Sequence, residues 1–285
     1  MKSLTNKQPL PQEHFYKICV VGGGMTGAIM ALLLKKSKLF NTNDIAWIMP
    51  NIKIPNDLRT TFYNEESIEL LSKLNIWRDL KKSDYTNVKK IQVFGKKNTT
   101  PLIWNNSNKE QNFGAVVKNK VMLDSIFSKL DDIQKFENFV TNTTCDNFER
   151  TLYFNDKHYI KTNLVLCADG KNSELRKLLL IKTILKKTGH IAISGFLEQS
   201  KNHQLTATQA FTELGPIGLL PFENKNKINF VVSVEETKYK NILSKNNPEQ
   251  YICEKLENFF SDLNLNFKPI KKINNLKNNL SSWPL

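Results

Sequence analysis

Apolar and polar residues alternate along this chain with two different periods, and the switches between them predict its elements. Residues 17–21, Lys-Ile-Cys-Val-Val, form a short, nearly continuous apolar run of the kind a fully buried parallel strand shows. A glycine-rich turn follows, then helical spacing from about Met25 to Lys36, then a second apolar strand from Asp44 to Met49. This strand–helix–strand unit opens a doubly wound α/β sheet. Residues 64–82 carry a helical pattern through Ile68, Leu70, Leu71, Leu74, Ile76 and Trp77. From Val88 to Val117 the pattern shortens to strands separated by turn residues, as in Ile91-Gln92-Val93-Phe94-Gly95. Helical spacing returns from Lys120 to Leu130, carried by Val121, Ile126, Phe127 and Leu130, and residues 136–168 read as strands. After a short helix beyond Arg176, long strands are expected at Ile191–Phe196, Thr206–Glu213 and Ile228–Val234. No internal repeat is present.

This order predicts a nucleotide-binding domain at 15–84 and 112–184, preceded by a flexible tail at 1–14. A second, sheet-rich domain at 85–111 and 185–285 is threaded through it twice. A chain of 285 residues is long enough to bury the cores such a division needs.

The formal charge of +14 raises nucleic acid or an anionic surface as partners. The lysines, however, are dispersed among Asn and Ile, as in Lys240-Asn241-Ile242-Leu243-Ser244-Lys245, and no block of five or six like charges occurs. This is a compositional bias with solvated lysines, not a basic groove, and nucleic acid is not expected as a partner. The four cysteines, Cys19, Cys145, Cys167 and Cys253, show no paired spacing. Cys19 and Cys167 fall inside apolar runs, where a reduced thiol acts as a small hydrophobe, so a reducing, cytoplasmic setting is expected. No secretory leader is visible, and no run approaches the ~20 apolar residues a spanning helix needs. Any membrane contact would be peripheral, on the inner membrane.

Two motifs carry the chemistry. Gly22, Gly24 and Gly27 fit the Rossmann-like dinucleotide fingerprint in its required setting of preceding strand and following helix. Gly22 permits the tight turn, Gly24 lets the backbone approach a pyrophosphate, and Gly27 lets helix and strand pack closely. The helix N-terminus supplies N–H groups and a partial positive charge. This motif serves NAD and FAD alike. The acidic residue that normally closes the second strand and holds the ribose is replaced by Met49, while Asp44 begins that strand. The second motif is Leu164-Val165-Leu166-Cys167-Ala168-Asp169-Gly170, a strand ending in an Asp-Gly turn. The Asp169 carboxylate can accept from sugar or ribityl hydroxyls, Gly170 frees the turn, Ser173 can cap the next helix, and Arg176 can pair back to the turn. Together the two motifs favour a flavin.

With these residues in place the chain resembles the FAD-dependent aromatic hydroxylases, flavoprotein monooxygenases, and within them the ubiquinone-biosynthesis branch that hydroxylates polyprenylated phenols. The likeness is carried by the glycine fingerprint, by Asp57-Leu58-Arg59-Thr60-Thr61 with Ser67 and Leu71, by the Asp-Gly stretch through Arg176, and by Phe211–Phe222. It implies a glutathione-reductase-like FAD-binding domain with an inserted mixed β-sheet domain. It places Arg59 near the flavin and Lys120 where the family has Arg or Gln. It sets Pro216, Gly218 and Leu220 on the strand facing the substrate cavity. It also implies NADH or NADPH as electron donor and O2 as co-substrate, with one oxygen atom entering a lipophilic phenol and the other leaving as water. A biosynthetic complex is a further expected partner. The chain ends at Ser282-Trp283-Pro284-Leu285, just before the place of the family's Gly-Asp motif, so the resemblance reads as the first two-thirds of such an enzyme, truncated at its C-terminus.

No residue is identified as a catalytic acid or base. His14, His158, His190 and His203 lack metal-ligand spacing, so no metal site is expected, and no Gly-x-Ser-x-Gly elbow occurs. Tyr251, Ile252, Leu256, Phe259 and Phe260 suit a core-facing amphipathic helix better than a membrane-facing one. Two rival readings stay open: a flavin reductase or oxidase on the same scaffold, and a non-catalytic remnant of the hydroxylase.

Overall fold

The computed structural model describes residues 14–50, 59–97, 99–105, 111–155, 158–184, 186–270 and 280–284. In chain order the first half contains β1 (His14–Val21), α1 (Met25–Lys36), β2 (Ile45–Met49), β3 (Thr60–Asn64), α2 (Glu65–Lys73), β4 (Tyr85–Val88), β5 (Lys90–Phe94), β6 (Leu102–Asn105), β7 (Gly114–Lys118) and α3 (Asn119–Phe127). The second half contains β8 (Gln134–Glu137), β9 (Val140–Asp146), β10 (Glu149–Phe154), β11 (Tyr159–Cys167), α4 (Glu174–Leu178), β12 (His190–Gln199), β13 (Thr206–Thr212), β14 (Gly215–Pro221), β15 (Lys227–Glu235), α5 (Glu236–Leu243), α6 (Pro248–Phe259), β16 (Phe267–Pro269) and β17 (Leu280–Pro284). They form two compact units, one from the described residues of Met1–Ile54 with Leu123–Ile184, the other from those of Pro55–Met122 with Leu185–Leu285.

The first unit is built on a six-stranded sheet in the order β8-β2-β1-β11-β10-β9. Strands β8, β2, β1 and β11 run parallel, and β10 and β9 continue as an antiparallel meander. The near-continuous apolar runs of β1 and β2 follow from their place in the middle of this sheet: every residue of Ile45–Met49 is buried. Tyr16, Cys19, Val21, Ile48, Leu152, Ile160 and Leu175 share one core. Trp47 is fully buried, with its ring centroid 4.8 Å from that of Phe127.

The second unit holds an eight-stranded sheet, β16-β12-β15-β14-β13-β5-β6 with β17 also on β12, and a three-stranded antiparallel sheet, β3-β7-β4. Alternation along β14 and β15 puts Ile217, Leu219, Ile228, Phe230, Val232 and Val234 into one core with Ile252, Leu256, Phe259 and Phe260 of the α6 region. The amphipathic face of α6 is thus spent on the core, as its spacing predicts. Among the described residues, no helix is long and apolar enough to cross a membrane.

The structure departs from the sequence reading in four places. His14 opens β1 instead of closing a tail. The helical pattern of 64–82 yields an α-helix only to Lys73 and a 3-10 turn at Trp77–Asp79, because the backbone turns at Asn75, whose φ is +59°. Residues 59–84 and 112–122, expected with the nucleotide-binding domain, pack with the second unit, because β3, β7 and β4 form one ladder. Cys167, expected inside the sheet core, is exposed at the end of β11.

Candidate functional site

In the first unit the two glycine-bearing turns lie side by side. Strand β1 pairs β11 in parallel, so both strands deliver their following turns to the same edge of the sheet. The Ala168 N–H donates to the Val21 carbonyl at 2.7 Å, and the Gly22 N–H donates to the Ile48 carbonyl at 2.8 Å. Gly22 has φ +130°, and a Cβ there would fall on the Ala168 carbonyl and stand 2.8 Å from the Asp169 nitrogen. A Cβ on Gly27 would run into the Gly22 carbonyl and stand 3.6 Å from the Ala168 Cβ. That carbonyl also accepts from the Trp47 indole at 2.8 Å. Gly22 and Gly27 are therefore glycines for packing.

Gly24 differs in kind. It is the N-cap of α1 with ordinary extended backbone, and no side chain caps the helix. Among the described residues no atom lies within 4 Å of where its Cβ would be. The first turn of α1 contains no acidic side chain. Uncapped N–H groups opening onto free space at a helix N-terminus form an anion cradle, and a pyrophosphate fits its donor set.

Asp169 is placed beside this cradle but is bonded to its own turn. Oδ1 accepts from the Cys167 thiol at 3.0 Å and Oδ2 from the Leu175 N–H at 3.2 Å. Burial works against its charge, yet the hydrogen bonds from Cys167, Ser173 and Leu175 prevail and hold its pKa below the usual carboxylate value. The Cys167 thiol is pushed up, chiefly by burial and then by its bond to Asp169. Ser173 caps α4 by accepting from the Arg176 N–H at 3.0 Å, and the Arg176 guanidinium donates to the Lys171 carbonyl at 2.6 Å, so both join the turn as expected. Gly170, at φ +86°, has open space around it. Met49 is buried, and Asp44 stands at the opposite end of β2, paired with Lys17 at 3.1 Å. Neither supplies a carboxylate at the end of β2 where a ribose would be held.

In the second unit the backbone of Arg59 is held by Asn119, the residue before Lys120 and one that no motif singles out. The Asn119 N–H donates to the Arg59 carbonyl at 3.0 Å, and its side-chain oxygen accepts from the Thr61 hydroxyl at 2.6 Å. Arg59 and Asn119 thereby face each other where β3 begins and β7 ends, with Lys120 next in the chain. Asp57 and Leu58 of the same motif lie outside the described residues. Pro216, Gly218 and Leu220 alternate with the buried Ile217, Leu219 and Pro221, so they share the opposite face of β14, where Leu220 packs against a second cluster of Val88, Val116, Phe196 and Phe222. Among the described residues no group of three or more His, Cys, Asp or Glu is placed to hold a metal.

The fold is that of the flavin-dependent monooxygenases. PqsL of Pseudomonas aeruginosa, solved in complex with 2-aminobenzoylacetate, superposes with a TM-score of 0.73 at 14% identity, over 90% of this chain and 74% of that one. The flavin-dependent monooxygenase PieE, solved with FAD and substrate, gives 0.71 at 11% identity, over 96% of this chain and 50% of that one. In sequence the chain is related to the ubiquinone biosynthesis monooxygenases COQ6. It is 25% identical to the mitochondrial protein of Caenorhabditis elegans over 232 residues, which is 74% of this chain and 51% of the relative. With that of Dictyostelium discoideum it shares 24% over 264 residues, 78% of this chain and 53% of the relative. The chain spans about half the length of the curated relatives it matches. No family model matches it.

Proposed function

We propose that this chain binds FAD and carries out part or all of an O2-dependent hydroxylation of a polyprenylated phenol in ubiquinone biosynthesis, with NADH or NADPH as electron donor. The observation that carries the reading is the cradle at Gly24: an uncapped helix N-terminus, open to a ligand, two residues after Gly22, which packs on the backbone leading into the Asp169–Gly170 turn. The names of sequence relatives support a monooxygenase of ubiquinone biosynthesis, the likeness in fold to flavin-dependent monooxygenases supports FAD, and the phenol is what the family resemblance implies.

Each residue has a stated part in the proposal. Gly22 and Gly27 bring α1 close to the sheet, Gly24 admits the pyrophosphate, and the N–H groups of α1 hold it. Asp169 and Gly170 flank the sugar portion, with the remaining lone pairs of the carboxylate as acceptors. In the second unit, Arg59 and Lys120 are proposed on the family resemblance as cofactor contacts. Pro216, Gly218 and Leu220 form an apolar wall that keeps water from the reacting ring. The flavin, when bound, supplies the redox and oxygen chemistry; the protein supplies position, dryness and charge. A lipophilic substrate implies peripheral contact with a membrane.

The test starts from the purified chain titrated with FAD and followed by flavin absorbance and fluorescence. Saturable binding is expected, and a protein indifferent to FAD would end the reading. If FAD binds, NAD(P)H oxidation in the presence of a short-chain prenylphenol separates the activities. A hydroxylated product supports the proposal, and NAD(P)H consumption with the phenol unchanged replaces it by a reductase or oxidase.

A further inference from the structure

Asn229 interrupts the apolar run of β15, Ile228-Asn229-Phe230-Val231-Val232, and is fully buried. A side-chain amide is poorly suited to such a strand unless its polar atoms are bonded. Here they are. Its Nδ2 donates to the Gly195 carbonyl at 2.9 Å and contacts the Ser194 hydroxyl at 3.3 Å, both on β12. Its Oδ1 accepts from the Thr60 hydroxyl at 2.9 Å. With donors and acceptor all engaged by protein, the amide acts as a fastener.

Its bonds join β12 to Thr60 of β3, and each end lies beside residues named for the proposed site. On one side, Asn229 sits opposite Leu220 in the β14–β15 register, on the face of the sheet that carries Gly218 and Leu220. On the other, Thr60 lies between Arg59, whose carbonyl is held by Asn119, and Thr61, whose hydroxyl is held by the same Asn119. Thr60 is β-branched with a restricted χ1, so a bond to its hydroxyl constrains the backbone beside it.

We propose that Asn229 is a positioning residue: through Thr60 it fixes the backbone from which Arg59 is presented, and ties that backbone to β12. What Arg59 meets rests on the FAD reading; the ordering of Arg59 by Asn229 does not.

The test uses the full chain with Thr60→Val, which removes the hydroxyl at nearly constant shape, and Thr60→Ser, which keeps it. Amide hydrogen exchange across residues 59–64 is expected to speed up about tenfold in T60V, the size of effect one lost buried hydrogen bond gives, and to return in T60S. Exchange across 45–49 is expected to stay unchanged. FAD affinity is expected to fall about tenfold in T60V, and an Arg59→Ala background is expected to abolish that difference. If T60V does not fold, Thr60→Ala supports the same comparison. Unchanged exchange across 59–64 overturns the proposal, as does an undiminished T60V effect in the R59A background. Should the unsubstituted chain bind no FAD, the functional reading falls while the exchange result still decides whether Asn229 orders Arg59.

Discussion

Gly22 and Ala168 meet backbone to backbone. The residue before Gly22 accepts the Ala168 N–H, and the space a Gly22 side chain would need is filled by the Ala168 carbonyl. This contact seats the strand-end carboxylate of Asp169 beside the glycine turn that opens onto the N-terminus of α1. The pairing of β1 with β11 brings together two turns that the chain keeps far apart.

Gly22→Ala is expected to destabilise the first unit by about 3 kcal/mol or more, since it adds a left-side backbone strain to a collision with another backbone. Chemical denaturation would show it as a lower midpoint. A midpoint matching the unsubstituted protein would mean that the two turns are not in contact.

Gly24→Val should behave in the opposite way. Its backbone is in an ordinary region and its Cβ has open space, so the fold is expected to persist with little change in melting temperature. FAD affinity is expected to drop at least about tenfold, because the side chain would occupy the place proposed for the pyrophosphate. Undiminished affinity in G24V would move the phosphate site elsewhere.

Trp47→Phe removes the indole donor from the Gly22 carbonyl while leaving an aromatic ring in the core against Phe127. A buried acceptor left unpaired costs about 1–3 kcal/mol, and a loss in that range is expected by denaturant titration. FAD binding should weaken in parallel, since the same carbonyl sits at the base of the fingerprint turn.

His203 gives the second unit a defined pH response. Its Nε2 meets the Asn224 carbonyl at 2.8 Å and its Nδ1 accepts from the Leu205 N–H at 3.1 Å, so the neutral ring is satisfied. Burial lowers its pKa, and Lys90 and Lys201 line the same recess. A base with a depressed folded pKa binds more protons unfolded, so its contribution is full above the ordinary histidine pKa near 6.5 and is lost as pH falls below it. The melting temperature is expected to decline between neutral pH and pH about 5, and to decline less in His203→Gln. Equal slopes in the two proteins would exclude this histidine as the cause.

The glycine fingerprint, the Asp169–Gly170 turn, the Ser173 cap and the core-facing stripe of α6 were legible because each depends on φ/ψ preference or on side-chain period within a few residues. Domain limits were less legible. Residues 59–84 look locally like any strand and helix after a βαβ unit, and only their pairing with β7 assigns them to the second unit. The exposure of Cys167 was hidden for a similar reason: an apolar strand end reads as buried whether or not anything covers it. An asparagine inside the apolar run of β15 was the one local sign that Asn229 has a task, and it named no partner.

The order of residues alone therefore determined that this protein has a strand, a glycine turn and a helix in succession, and a later strand ending in a carboxylate. Tertiary structure decided that Gly22 rests on Ala168, that Asn119 holds the backbone of Arg59, and that Thr60 is bonded to Asn229. Such contacts join segments tens to more than a hundred residues apart, where short-range periodicity carries no information and only the closing of the sheets selects the partner.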